Sequence, residues 1–410
     1  MSPLFEDSPE YKARLATPYE LPKVTLKEIH EGVPKELYKK STVIGVYYAL
    51  RDFALAYSFF TLAKQIDPIT RLLPSYGFSS SATYAAGWAM WCTYWFFQSL
   101  TGAALFTLGH EAGHGNLSEY HAVNYTIGYL THTAIFTPFY AWRHTHNMHH
   151  KNTGSMERDE NYIPKTRKQR GMPPKETMTR VDYLELLDDT PILTLWRLFR
   201  LQIMGWNLYL TFNLLSNESW PKGTNHWSPY SPLFRKQDRN GVIATDVGLL
   251  TWLAILTTWG YNTSAGTVWK YYVIPYIFTN HWNVMCTYLQ HTDPTMPHFR
   301  NGAWTFLRGA TTTVDRPFLG WIGRFFFHNI SHDHVAHHFF SSIPFYHGPQ
   351  LTEHLRKVMG KDYNYDSTNT WRALWRSFNE CQFVENEGDI IMYKNRAGEQ
   401  MRKVAGQSDD

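Results

Sequence analysis

The chain has 410 residues, with 39 Lys and Arg against 35 Asp and Glu and a formal net charge of +4; this basic excess is too weak and too dispersed for a nucleic-acid groove, which needs clustered cations beside exposed aromatics. Aromatic residues make up 16% (16 Trp, 26 Tyr, 25 Phe), a content that suits a membrane interface, where an amphipathic ring keeps one side wet. The three cysteines, Cys92, Cys286 and Cys381, form no C-x-x-C pair and no disulfide framework, so a reducing compartment is expected.

Residues 1–40 read as a polar arm carrying Pro3, Pro9, Pro18, Pro22 and Pro34, without the apolar run of a cleavable signal. Apolar stretches follow at 42–66, 83–108, 120–142, 193–215, 246–262 and 267–289. One crossing of a membrane takes about 20 mostly apolar residues. The stretch 83–108 meets this most clearly and runs straight into His110. The first stretch holds Arg51 and Asp52, and a charge at a helix centre costs about 2.5–3.5 kcal/mol on insertion scales. The crossing is therefore expected to start near Phe53, with 41–50 in the interface. The stretch 120–142, with His121, His132 and Pro138, reads as interfacial or re-entrant. The stretch 193–215, with Arg197, Arg200 and Asn207, is not expected to cross. The last two stretches form a hairpin turned at 262–266, and 361–410 is a polar tail. The mean hydropathy of −0.39 would suit a soluble helical protein, but uninterrupted apolar runs above about 18 residues favour membrane spans.

Histidine spacing carries the chemistry. His146-Asn147-Met148-His149-His150 and His334-Val335-Ala336-His337-His338 both read H-x-x-H-H, and His110-Glu111-Ala112-Gly113-His114 stands upstream. At this histidine content, chance gives roughly 0.05 such H-x-x-H-H matches per chain. In a helix, residues i, i+3 and i+4 share one face, so each segment would present imidazoles to a common point. Imidazole is a common neutral ligand for iron, zinc and copper.

If the three clusters share one site, they must emerge on one side of the membrane, with an even number of crossings between each pair. That condition leaves four spans in two hairpins. Lys and Arg are frequent in 1–40 and 143–200 and sparse in 67–82 and 261–266. Both termini and the histidines are therefore expected in the cytosol.

The segment 110–114 also matches H-E-x-x-H, the zinc-protease pattern with Glu111 as base. That chemistry uses three protein ligands and one zinc, and it would leave both H-x-x-H-H segments without a purpose. Two metals sharing eight or nine neutral nitrogens fit the count better. Two iron ions could bind O2 between them, and oxidation of an unactivated C–H bond needs such a cofactor.

The order H-x-x-x-H, H-x-x-H-H, H-x-x-H-H, with hairpin spans before the third box, resembles the membrane fatty-acid desaturases. It is most similar to the fungal and plant endoplasmic-reticulum delta-12 oleate desaturases. The segments Gly109–Gly115, Trp142-Arg143-His144-Thr145-His146, Tyr288–Pro294, Thr313-Val314-Asp315-Arg316 and His328-Asn329-Ile330 carry the likeness, which covers about residues 18–360. It implies an all-α integral membrane fold, with four transmembrane helices under a cytosolic helical cap. The implied domains are an arm at 1–40, a desaturase domain at 41–360 and a tail at 361–410. The implied ligands of two iron ions are His110, His114, His146, His149, His150, His334, His337 and His338. His291 fits best as a further nitrogen ligand, and His328 is second.

Glu111, His144, Asp315, His328 and Asp333 are candidates for holding the ligands in place, with His332 and His347 nearby or on the surface. Asp315 and Asp333 could equally be capping or salt-bridge residues. His226, in the turn-rich segment 223–227, is expected to tolerate alanine. Delta-12 relatives usually have Cys where this chain has Ala112, which leaves regioselectivity in doubt. The resemblance implies conversion of oleoyl to linoleoyl with O2, on a phospholipid or coenzyme A carrier, in the endoplasmic-reticulum membrane. Cytochrome b5 and its NADH-dependent reductase are the implied electron donors. An omega-3, bifunctional, acetylenic or hydroxylating relative is the alternative within the enzymes. A metal-bearing membrane sensor or scaffold is the alternative outside them.

Overall fold

The computed structural model describes residues 3–187 and 190–406. Helices α1 (Pro9–Ala16) and α2 (Leu26–His30) precede α3 (Thr42–Ala63), α4 (Ile66–Leu72) and α5 (Ser80–His114). Next come α6 (His121–Thr133), α7 (Phe139–Asn152), α8 (Arg180–Leu187) and α9 (Pro191–Phe212). Helix α10 (Arg239–Asn262) is followed by α11 (Ala265–Val268), a π-helical turn at Trp269–Val273 and α12 (Ile274–His291). The remaining helices are α13 (Phe306–Ala310), α14 (Trp321–Phe326), α15 (His334–Phe339), α16 (Gly348–Met359) and α17 (Thr370–Glu380). A two-stranded antiparallel ladder pairs β1 (His298–Phe299) with β2 (Ile390–Ile391).

Helix α5 organises the molecule. Ser79 caps it by accepting the Ala82 amide, and it stops at Gly115, where φ is +76°. Its 35 residues extend about 50 Å at 1.5 Å per residue. A helix of that length can cross a hydrocarbon core of about 30 Å and still carry His110 and His114 beyond it. Two glycines let neighbours close onto it. A Cβ on Gly102 would sit 2.1 Å from Thr279 Oγ1 of α12, and one on Gly109 would sit 2.0 Å from the His132 ring of α6.

One helical segment among the described residues, 236–262, is both long and apolar enough to cross a membrane by composition. The others carry more polar residues, and the structure handles these internally. Helix α3 runs unbroken through Arg51 and Asp52. The Asp52 carboxylate is fully buried, 2.7 Å from Arg51 Nη2 and 2.7 Å from His328 Nε2. The apolar stretch 120–142 is two helices. Pro138 forms the N-cap of α7, and the 13 residues of α6 reach only about 20 Å, too short to cross.

The far ends of the α3–α5 and α10–α12 hairpins meet. Lys270 Nζ lies 3.4 Å from Asp67 Oδ2, Trp91 Nε1 donates to Asp67 Oδ1 at 3.2 Å, and Tyr94 OH donates to the Tyr271 carbonyl at 2.7 Å.

Described residues of the expected arm and tail pack on the rest of the chain and on each other. Ile29 of α2 packs with Val335, Phe339 and Leu355. Tyr19 bridges to Val404, and Asp7 pairs with Arg372 at 2.8 Å and Arg376 at 2.6 Å.

Candidate metal centre

Four helices deliver nine imidazoles, and they gather at two points rather than one. The i, i+4 geometry of each helix brings ring nitrogens together. Nε2 separations are 3.3 Å for His110–His114, 3.0 Å for His146–His150 and 3.0 Å for His334–His338. Tertiary contacts then sort the boxes. His337 Nε2 lies 3.1 Å from both His110 and His150, completing a group of His110, His114, His146, His150 and His337. His291, at the end of α12, lies 3.3 Å from His149 and 3.0 Å from His334, and groups with His149 and His338. Each H-x-x-H-H box therefore serves both groups.

The donor set fits a metal pair. Ligand nitrogens about 2.1 Å from one ion and about 90° apart sit about 3.0 Å from each other, the spacing seen here. Burial pushes the proton affinities of His146, His150, His334, His337 and His338 well below the ordinary imidazole value. Burial thus disfavours the charged form of these rings and favours the neutral form, which is the one that coordinates metal. Imidazole nitrogens suit a borderline divalent ion such as iron, and the five rings of the first group exceed the need of a single tetrahedral zinc.

The Nδ1 atoms of His146, His149 and His338 have partners behind them. His149 Nδ1 donates to Asp159 Oδ1 at 2.7 Å. The Thr153 hydroxyl donates to the His149 carbonyl at 2.7 Å and faces His338 Nδ1 at 3.1 Å. The Asn161 amide lies 3.2 Å from His146 Nδ1 and accepts Tyr209 OH at 3.0 Å. Glu111 Oε1 sits 3.1 Å from His110 Nδ1 and 3.6 Å from His337 Nδ1, off the hydrogen-bond direction of either ring. Trp142 stacks on His146, with centroids 4.4 Å apart and planes within 13°.

Several expected residues lie elsewhere. His328 bonds to Asp52 and packs edge-on against Tyr48 and Phe345, outside both groups. His144 points to Asp238 at 3.6 Å. Asp333 pairs with Arg324 at 3.0 Å, and Asp315 accepts the Val335 amide at 2.8 Å at the start of α15. Neither aspartate hydrogen-bonds an imidazole of the cluster directly: Asp333 is held in an ion pair and Asp315 caps the start of α15. His332 bonds to Ser331 and His347 rests on Tyr346. His226, expected from its turn-rich segment to tolerate alanine, is fully buried, with its ring tilted against Tyr209 at 4.6 Å and 3.2 Å from Thr145 Oγ1.

An apolar cavity of about 280 Å³ opens onto the histidines. His110, His146, His149, His291 and His334 form one wall, and Trp142, Trp206, Trp282 and Val284 line its length. Helix α9 adds Leu201, Gly205 and Tyr209 to the lining. Ala112 packs with Leu108, Phe139 and Phe345 away from the cavity.

The fatty acid desaturase family model matches residues 84–369 of this chain. The chain belongs to the fatty acid desaturase family. It is 40% identical to a delta(12) fatty acid desaturase of Mortierella isabellina over 381 residues, covering 92% of each chain. A delta(12) fatty acid desaturase of Mortierella alpina is 39% identical over 92% of each chain. An oleoyl-12-hydroxylase of Ricinus communis is 33% identical, also over 92% of each. This desaturase is thus an oxidoreductase acting on lipid acyl chains, and the sensor or scaffold reading falls away.

The sequence reading of this desaturase missed Asp159, Thr153, Asn161 and Tyr209. Asp159 and Asn161 lie in the loop after the second box, and Thr153 at its start. No helical periodicity marks which loop side chain turns back toward an imidazole.

Proposed function

We propose that this desaturase inserts a second double bond into an oleoyl chain at the delta-12 position, giving linoleoyl. One acyl –CH2–CH2– unit, O2, two electrons and two protons give –CH=CH– and two waters. The observation that carries the reading is the cavity, whose wall is the histidine cluster itself. A hydrocarbon lying along Trp142 and Trp206 has its methylenes beside the ring nitrogens. The metal pair supplies the means to activate O2 for hydrogen removal from an unactivated methylene, which no side chain has.

The chain's own part is positional. Trp142, Trp206, Trp282 and Phe106 keep water from the cavity and limit which methylenes reach the metals. His110, His114, His146, His150 and His337 would hold one iron, and His149, His291, His334 and His338 the other. His291, rather than His328, is our choice for the additional ligand.

We assign four crossings, by α3, α5, α10 and the helix ending in α12. Both hairpin turns meet through Asp67 and Lys270 at one end, and the histidines lie at the other. Outward-facing Val43, Tyr57, Val247 and Leu250 suit lipid contact. The histidines and both termini would face the cytosol from the endoplasmic-reticulum membrane, where cytochrome b5 and its NADH-dependent reductase would supply electrons. Helix α9, with exposed Ile192, Trp196 and Phe199, would lie in the interface.

Expression in a host whose fatty acids are at most monounsaturated tests the reaction. Gas chromatography with double-bond location should find linoleate. A 12-hydroxy product instead would transfer the chain to the hydroxylating relatives.

A further inference from the structure

The tetrapeptide Thr313-Val314-Asp315-Arg316 lies outside both histidine groups, yet it reaches both of the helices that flank the second group. We infer that Asp315 and Arg316 are positioning residues for the second metal: Arg316 fixes His291 on α12, and Asp315 fixes α15 with His334 and His338.

Arg316 is buried and straddles His291 in sequence. Its Nε donates to the Leu289 carbonyl at 2.9 Å and its Nη2 to Asp293 Oδ2 at 2.7 Å. The carbonyl precedes His291 by two residues and the carboxylate follows it by two. A planar fork with fixed donor directions sets both distances at once, which a lysine ammonium cannot do. The remaining Nη1 bonds to Asp366. Asp366 also accepts Arg376 Nη2 at 2.6 Å and Ser8 Oγ at 2.7 Å. Arg14 approaches Asp293 at 3.6 Å from the N-terminal side. The fork is therefore anchored by both ends of the chain.

One residue earlier, Asp315 works in the opposite direction. Its Oδ1 accepts the Val335 amide at 2.8 Å, one of the helix-start donors that α15 leaves unmet. Its other oxygen accepts Tyr363 OH. The backbone between them is pinned too, since Val314 N–H donates to the Gln290 carbonyl at 3.0 Å and Arg316 N–H to the Ser331 carbonyl at 2.9 Å. Two adjacent side chains thus set the gap between His291 and His334, whose Nε2 atoms lie 3.0 Å apart. Of the first group, His110, His114, His146 and His150 sit on α5 and α7, while His337 shares α15 with His334 and His338, so Arg316, through α12, is the residue specific to the second metal. Buried ionic groups are best attested in such register roles, because their net contribution to stability is small or negative.

The inference rests on the two-metal reading, and the test separates the two. Full-length protein is purified with iron, and iron per chain and the Mössbauer spectrum are recorded for wild type, Arg316→Gln, Arg316→Lys and Asp315→Asn. Wild type without a coupled iron pair would defeat the two-metal reading itself. With the pair present in wild type, Arg316→Gln should lose half of the iron, and an isolated-iron spectrum should replace that of the pair. Asp315→Asn loosens α15, which also carries His337, and should show a smaller loss shared between the two positions. Arg167→Gln is the control for a purely structural ionic contact. Arg167 is equally buried and bonds Glu385 at 2.7 Å, away from the histidines. It should lower thermal stability and keep both irons. If Arg316→Gln does not fold, Arg316→Lys decides, since it keeps the charge and loses the fork. Retention of the intact pair in the folded Arg316 variant, or loss of both irons together, would overturn the inference.

Discussion

His149 and Asp159 are joined at 2.7 Å, the imidazole Nδ1 donating to the carboxylate. The same carboxylate accepts the Gly154 amide at 3.2 Å and the Asn161 amide at 3.0 Å. The loop after the second box therefore fixes the ring and leaves its Nε2 lone pair facing His291. Asp159→Asn keeps the shape and removes the charge. It should weaken iron affinity or turnover by about 10–100-fold, the usual cost of such partners. Iron titration of the purified variant measures this, and wild-type affinity with wild-type turnover would remove Asp159 from the account.

Substituting alanine for His149 or His337 removes a nitrogen that no neighbouring ring can replace, because each neighbour already faces its own group. The loss should exceed the 10–100-fold of an outer partner and abolish linoleate formation at matched protein levels. An active His337→Ala variant would mean that the third box does not bind metal.

His226 gives a sharper contrast between chain and fold. The ring lies against Tyr209, whose hydroxyl reaches Asn161 and so His146. His226→Ala should cost about 1–3 kcal/mol by leaving buried polar partners unmet, and it should lower activity along with thermal stability. A variant as stable as wild type would contradict the burial seen here.

The difference at His226 shows what the chain can and cannot announce. The pairing of His146 with His150 is written in a spacing of four residues. The split of each box between two groups is not, because it depends on how α7 and α15 cross α5 and α12. In the same way, Arg51 and Asp52 stand out in an apolar stretch, yet the partner that settles Asp52 is His328, 276 positions away. Helix α9 was expected only not to cross the membrane, and it also lines the cavity through Leu201, Gly205, Trp206 and Tyr209. The H-E-x-x-H pattern, read alone, points to the wrong chemistry. Only the company of the other histidines corrects it.

Ala112 supplies a prediction about selectivity. Its side chain faces Phe139 and Phe345, with no share in the cavity wall. Ala112→Cys should leave the position of the new double bond unchanged, as read by mass spectrometry of the fatty acid products. A shifted double bond would place the determinant of selectivity outside the cavity walls described here.

Topology has its own test. Tags at residues 3 and 406 should be labelled from the cytosolic side, and tags within 67–82 or 261–266 only after the lumenal side is opened. Labelling that put the two ends of the chain on opposite sides would break the four-crossing arrangement.

The central claim is that nine imidazoles hold a pair of irons at the wall of the acyl cavity. Elemental analysis of an active, purified sample tests it most directly. The account predicts about two iron atoms per chain, in keeping with a nitrogen set too large for one ion. An active sample with one zinc and no iron would contradict it.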